Sequence, residues 1–144
     1  RDGRPHPRVV SAPRPRRPVI VGVGIDLVEV ERMRRLLERK GERALARLFT
    51  DGERSYAAIH REPARQLAAR AAAKEAAFKA LSGNDLARAI GWRELEVVSA
   101  TGRAPVLLLH GRARERAAEL GVVRVHLSIT HSESVAAAFV VAEA

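Results

Sequence analysis

The 144 residues carry 26 Lys+Arg against 17 Asp+Glu, a formal net charge of +9. Residues 1–18 hold six arginines, one acid and five of the seven prolines, so they read as a disordered Pro/Arg-rich tail, and residues 19–144 form one mildly basic domain of ordinary size. Cysteine is absent, which excludes disulfides, thiolate metal sites and cysteine nucleophiles, and no apolar run approaches the ~18 residues that span a bilayer.

Val19 to Ile25 (VIVGVGI) is a β-branched run with two glycines and predicts a buried strand. Asp26 then stands where the strand is expected to give way to a helix over 27–40, and on spacing alone it reads as that helix's N-cap. The helix would bury Leu27, Val30, Met33 and Leu37 and turn Arg32, Arg35 and Arg39 to the opposite face, with Gly41 as its stop. Gly22-Val23-Gly24 hints at a dinucleotide fingerprint, but Leu27 holds the third glycine position, so that reading is discarded. A short helix is expected at 42–48. Another runs through Ile59, capped by Thr50 or Asp51 with Glu53 in its first turn.

Pro63 suits the first turn of a long Ala-rich helix ending near Leu81, with Ser82-Gly83-Asn84 as the stop. Strands are expected at 93–99 and from Pro105 to Leu109, a helix from Gly111 to Leu120, and two closing strands, Val122 to Ile129 and Val135 to Ala142. Helices gathered early and strands late predict an α+β fold, helices packed on a mainly antiparallel sheet.

Three features carry candidate chemistry. Asp26 is the first. The second lies on the long helix, where Glu75 and Lys79 are four apart and so share a face, as an ordinary surface ion pair also would. Lys74 falls within the apolar stripe Leu67, Ala71, Phe78 and Leu81, so it either snorkels or points at a bound phosphate inside a cleft. With only three lysines against 23 arginines, Lys40, Lys74 and Lys79 are individually informative. The third feature is His126-Leu127-Ser128-Ile129-Thr130-His131-Ser132. Strand alternation puts His126, Ser128 and Thr130 on one face, suited to a phosphate, to proton transfer or simply to solvent. The physics of the residues stops at an α+β domain with a phosphate-handling option.

GVGIDLVEVERM (22–33), LFTDGERSY (48–56), LAARAAAKEAAFKAL (67–81), Gly102 with Pro105, and HLSITHS (126–132) together resemble the holo-(acyl-carrier-protein) synthases, the small 4′-phosphopantetheinyl transferases. The resemblance implies transfer of the phosphopantetheine arm of coenzyme A to a serine of apo acyl carrier protein, releasing adenosine 3′,5′-bisphosphate, in cytoplasmic fatty acid biosynthesis. It implies Mg²⁺ on Asp26 and Glu75, a match to that ion's preference for one or two carboxylates plus substrate phosphates. Lys79 would contact phosphate, and either Glu75 or a water at the metal would accept the serine proton. Arg70, Lys74, Pro105, His126, Ser128, Thr130 and His131 are the coenzyme A candidates. Arg32, Arg35 and Arg39 are the candidates for the acidic carrier protein, a task suited to bidentate arginine and electrostatic steering. The resemblance further implies a homotrimer with shared active sites, and neither nucleic acid nor membrane as partner.

The sequence departs from the pattern in places. Ala71 replaces the usual aromatic, Ser132 stands where some relatives have an acid, and Ala104 replaces the usual lysine before Pro105, with Arg103 one place earlier. Two rival expectations accompany the first: a non-catalytic basic binding domain, and a transferase dedicated to a polyketide or peptide synthetase carrier.

Overall fold

The computed structural model describes residues 15–144; the tail reading for residues 1–14 lies outside them. The first strand, β1 (Ile20–Glu29), is longer than its sequence suggests and carries Leu27 and Val28 as strand residues. It leads into α1 (Val30–Leu48), kinked at Gly41, whose φ of 59° departs from helical geometry. The expected stop is therefore real, and the expected short helix follows it. Then come α2 (Asp51–Ala58) and α3 (Pro63–Ala80), the latter with its proline in the first turn. The short helix α4 (Asp85–Ala89) and a single 3₁₀ turn at Trp92–Glu94 were not anticipated. The chain closes with β2 (Leu95–Val98), β3 (Val106–Leu109), α5 (Gly111–Glu119), β4 (Arg124–His131) and β5 (Val135–Glu143).

The arrangement is the expected α+β one. A three-stranded antiparallel sheet runs β1-β5-β4, and β2 and β3 form a separate antiparallel pair. The backbones of Val19 and Ala144 hydrogen-bond to each other at 3.0 and 2.8 Å, which continues the β1–β5 pairing one step past Ile20 and Glu143. At the far end of the sheet Ser132 organises the β4–β5 turn: its Oγ accepts from Val135 N at 3.2 Å, and its own N donates to Val135 O at 2.8 Å. The Ser132 hydroxyl thus has a local backbone role.

The helix α3 is the axis of the structure. Its alanines 68, 69, 71, 72, 73, 76, 77 and 80 are all buried. One core lies between α3 and the inner face of the sheet, with Leu81, Leu95, Val97 and Val140 supplying bulk; a second lies between α1, α2 and α3 around Val30, Met33, Phe49 and Leu67. Small side chains on α3 matter because β1 approaches its backbone directly. A Cβ on Gly22 would fall 1.9 Å from Ala80 O, and one on Gly24 1.8 Å from Ala76 O. The glycines of the GVG segment are thus there for backbone contact, not for a nucleotide. Alternation along β1 turns Gly22, Gly24 and Asp26 to the same side, so the two glycines press the strand onto α3 just where the carboxylate follows.

The other face of the sheet is bare. Val23, Ile25, Leu27 and Phe139 are exposed on it, Ile25 by 64 %. In register, Ile25 sits opposite Phe139 and Phe139 opposite Ser128; the neighbouring rows are Val23–Val141–His126 and Leu27–Ala137–Thr130. An apolar patch from β1 and β5 therefore grades into a polar margin on β4.

Candidate active site

Asp26 does not cap a helix. It is a β1 residue paired with Ala138 of β5, because the strand continues to Glu29, which takes the N-cap position of α1 without a side-chain hydrogen bond. The β-branched Val28 and the β5 ladder outweigh the helical spacing of residues 27–37. In this place Asp26 faces α3. Lys79 reaches across from that helix, its Nζ donating to Asp26 Oδ1 at 3.2 Å and to Ile25 O at 2.8 Å. Glu75 stands one turn before Lys79 and is partly buried. Burial first, and the Asp26 carboxylate second, push the Glu75 carboxyl above its ordinary range, with Lys79 and Arg32 opposing. The three residues singled out from sequence are thus one electrostatic unit.

The donor set fits a hard divalent cation. Two carboxylates that repel each other across the strand–helix seam form an oxygen-only pair, and no third His, Cys, Asp or Glu joins them among the described residues. Two carboxylates with the remaining positions left to water and phosphate oxygens is the Mg²⁺ pattern.

A groove of about 490 Å³ opens beside Glu75. Val28, Met33, Leu36, Leu48, Ala71 and Trp92 give it an apolar lining, and Arg32, Arg35, Arg39 and Lys40 stand along it. The three arginines expected on the opposite face of α1 are exposed, yet they share this groove with Met33 and Leu36. Ala71 forms part of its wall. Lys40, singled out only for the rarity of lysine, finds its place here; Trp92 was missed, and its being the one tryptophan of the sequence was the available signal.

A second cleft collects Arg70, Pro105 and His131 with Tyr56, His60, Ser99, Thr101, Gly102 and Arg103. Arg70 is 3 % exposed, its guanidinium 4.0 Å over the Tyr56 ring, with Nη1 donating to Gln66 O and Nη2 to Ser99 Oγ. Its buried Nε has no partner, and among the described residues no carboxylate pairs with it. Burial lowers its proton affinity, with Tyr56 and Glu53 opposing. A buried cation held by neutral groups suits an anion in the cleft. His126, Ser128 and Thr130 are elsewhere: they lie on the bare sheet face, where His126 Nε2 is 3.2 Å from Glu143 Oε2.

Lys74 requires correction. It neither snorkels nor faces a cleft: its side chain is wholly buried, and Nζ donates to Glu53 Oε1 at 2.7 Å, Trp92 O at 2.9 Å and Leu95 O at 2.6 Å. All three ammonium protons have acceptors, so nothing remains for a ligand. Burial lowers its proton affinity, and Glu53 opposes that shift. Glu53 does more than close the expected capping box with Thr50, since its second oxygen accepts Val97 N at 3.0 Å. The pair ties α2, α3 and β2 together inside the protein.

With this geometry in place, the relationships of the chain are clear. The sequence model of the 4′-phosphopantetheinyl transferase superfamily matches residues 22–140. The chain belongs to that family. It is 50% identical to a holo-[acyl-carrier-protein] synthase of Alkalilimnicola ehrlichii, over 87% of this chain and 98% of that one, and 41% identical to one of Solibacter usitatus, over 87% and 99%. Among solved structures it resembles the holo-[acyl-carrier-protein] synthase of Neisseria meningitidis, with a TM-score of 0.76 at 30% identity, covering 88% of this chain and 100% of that one. It also resembles the Bacillus anthracis synthase solved in complex with coenzyme A (3′,5′-ADP), with a TM-score of 0.69 at 31% identity, covering 87% and 97%.

Proposed function

We propose that this chain transfers the 4′-phosphopantetheine arm of coenzyme A to a serine of an apo acyl carrier protein, leaving holo carrier protein and adenosine 3′,5′-bisphosphate. The observation that carries the reading is the Asp26–Glu75–Lys79 unit, two carboxylates and an ammonium held at one strand–helix seam beside a groove.

Asp26 and Glu75 would hold Mg²⁺. When bound, that ion supplies charge neutralisation at the attacked phosphate and at the leaving group. Lys79 binds a phosphate oxygen through its ammonium, and its position on α3 fixes where that charge stands. Glu75, or a water beside it, would receive the serine proton. Arg70, Pro105 and His131 hold the nucleotide end of coenzyme A in the second cleft. The apolar lining of the first groove excludes water from the seam. Its arginines 32, 35 and 39 engage acidic side chains of the carrier protein, raising the rate of encounter as complementary charge does.

The bare face of the three-stranded sheet supports self-association as a homotrimer, since Ile25, Leu27 and Phe139 form an apolar patch that monomers rarely leave open. The patch lies at one margin and the polar β4 row at the other. A closed ring that sets unlike margins together would bring His126, Ser128 and Thr130 of one copy toward a neighbour. The reading extends to a cytoplasmic role in fatty acid biosynthesis; among the described residues no helix is long and apolar enough to cross a membrane.

The test is direct. Incubation with coenzyme A, Mg²⁺ and an apo carrier protein is expected to add one phosphopantetheine mass to the carrier, read by intact-protein mass spectrometry. An unchanged mass across several apo carriers removes the enzymatic reading.

A further inference from the structure

We propose that Lys79 is a built-in counter-cation for the Asp26–Glu75 pair, which an arriving divalent ion must displace, so that metal entry frees the ammonium for the diphosphate. The inference rests on the reading of Asp26 and Glu75 as the metal carboxylates and goes beyond it by assigning the site two states.

The ammonium already stands at the carboxylates. Lys79 Nζ is 3.2 Å from Asp26 Oδ1 and is also anchored on Ile25 O, so it occupies one of the oxygens a cation needs. Its charge offsets the repulsion between the two carboxylates. A divalent cation on the pair would place three positive charges beside two carboxylates, with the ammonium already on one of the Asp26 oxygens, and at such separations the ammonium and the metal repel strongly. One of them must leave.

The side chain that can leave is evident from exposure. Lys79 is 54 % exposed on a four-carbon stem, whereas Lys74, five residues back and on another face of the same helix, is wholly buried with three acceptors and cannot move. Release of Lys79 costs it two acceptors, which lowers the affinity of the metal binding alone. A diphosphate at the seam restores a partner to the ammonium. Metal and diphosphate therefore assist each other's binding, and the coupling runs through one side chain.

Two readouts independent of turnover test this. The first is Mn²⁺ binding by calorimetry, with and without coenzyme A, to the wild type, Lys79→Met, Arg32→Met and Asp26→Asn. Lys79→Met is expected to bind Mn²⁺ alone about 5-fold or more tighter than wild type, while its enhancement by coenzyme A shrinks by a similar factor. Arg32→Met removes a nearby charge without removing a ligand-site occupant and is expected to do less. Equal or weaker Mn²⁺ binding by Lys79→Met overturns the proposal, as do equal effects of the two variants or an unchanged coupling. Mn²⁺ binding that survives Asp26→Asn undamaged would instead overturn the metal assignment itself.

The second readout uses the scarcity of lysine. In ¹³C-lysine-labelled protein only three ε-methylene signals exist, those of Lys40, Lys74 and Lys79. Mg²⁺ titration is expected to move the Lys79 signal and leave Lys74 in place. A Lys79 signal that stays fixed while Mg²⁺ saturates Asp26 overturns the exchange.

Discussion

If Asp26 and Glu75 hold the metal as a pair, each is expected to be indispensable for transfer and dispensable for the fold. Asp26→Asn and Glu75→Gln preserve shape and should lower transfer by about 100-fold or more, since charge neutralisation at phosphate is worth several kcal/mol; carrier-protein mass gain measures it, and far-ultraviolet circular dichroism checks the fold. The raised Glu75 carboxyl gives a pH prediction whose sign follows from the direction of the shift. A raised carboxyl contributes stability while protonated, and that contribution is lost as pH rises through its folded value. Metal capture needs the opposite form. Transfer should therefore fall on the acid side at a higher pH than an ordinary glutamate would impose, and Asp26→Asn should move the Glu75 titration, followed by ¹³C-carboxyl NMR, downward. Lys74 belongs to stability instead. Lys74→Met leaves Glu53 charged and unpaired in the interior and is expected to cost about 3–5 kcal/mol by urea denaturation. Asp26, Glu75 and Lys79 were singled out from the sequence, Glu75 and Lys79 by their spacing on one helix face and Asp26 by its place after a buried run, and the structure brings the three together. The role of Lys74 was not legible, because its partners are a carboxylate 21 residues away and two backbone carbonyls, and no spacing rule encodes such contacts.

Elements inherit their placement from these contacts. Gly24 is the clearest case: an added methyl would lie 1.8 Å from the Ala76 carbonyl, so β1 and α3 must part. Gly24→Ala is expected to cost about 1–3 kcal/mol or more by chemical denaturation, as overpacking does, and to lower transfer further than the lost stability explains, because Asp26 rides on the displaced strand. Most elements were legible. The proline at the start of α3, the Thr50–Glu53 capping box and the Gly41 break are local signals, and each was found where the sequence put it. The boundary of β1 was not, because residues 27–37 satisfy a helical period while β5 offers a better partner to 27–29. The short helix α4 and the turn at Trp92 were also missed, being too brief for periodicity to register. The turn matters, since Lys74 holds its Trp92 carbonyl while the tryptophan itself lines the groove beside Glu75.

At the scale of the whole molecule, the proposed site would divide into a metal-and-groove half around Asp26 and a nucleotide half around Arg70, with His126, Ser128 and Thr130 on the outer sheet face. Association of copies through that face is the arrangement that would give those three residues a use. Ile25→Glu combined with Phe139→Glu puts two acids on facing positions of adjacent strands. The double variant is expected to sediment as a monomer, to remain folded, and to lose most of its transfer. The uncovered face also has a consequence for how the catalyst behaves in dilute solution. If copies must meet to complete a site, the initial rate per chain is not a constant: it should decline as the protein is diluted below the association threshold, with an apparent reaction order in enzyme above one. Preincubation at high concentration would then leave a lag-free burst that decays as the assemblies come apart.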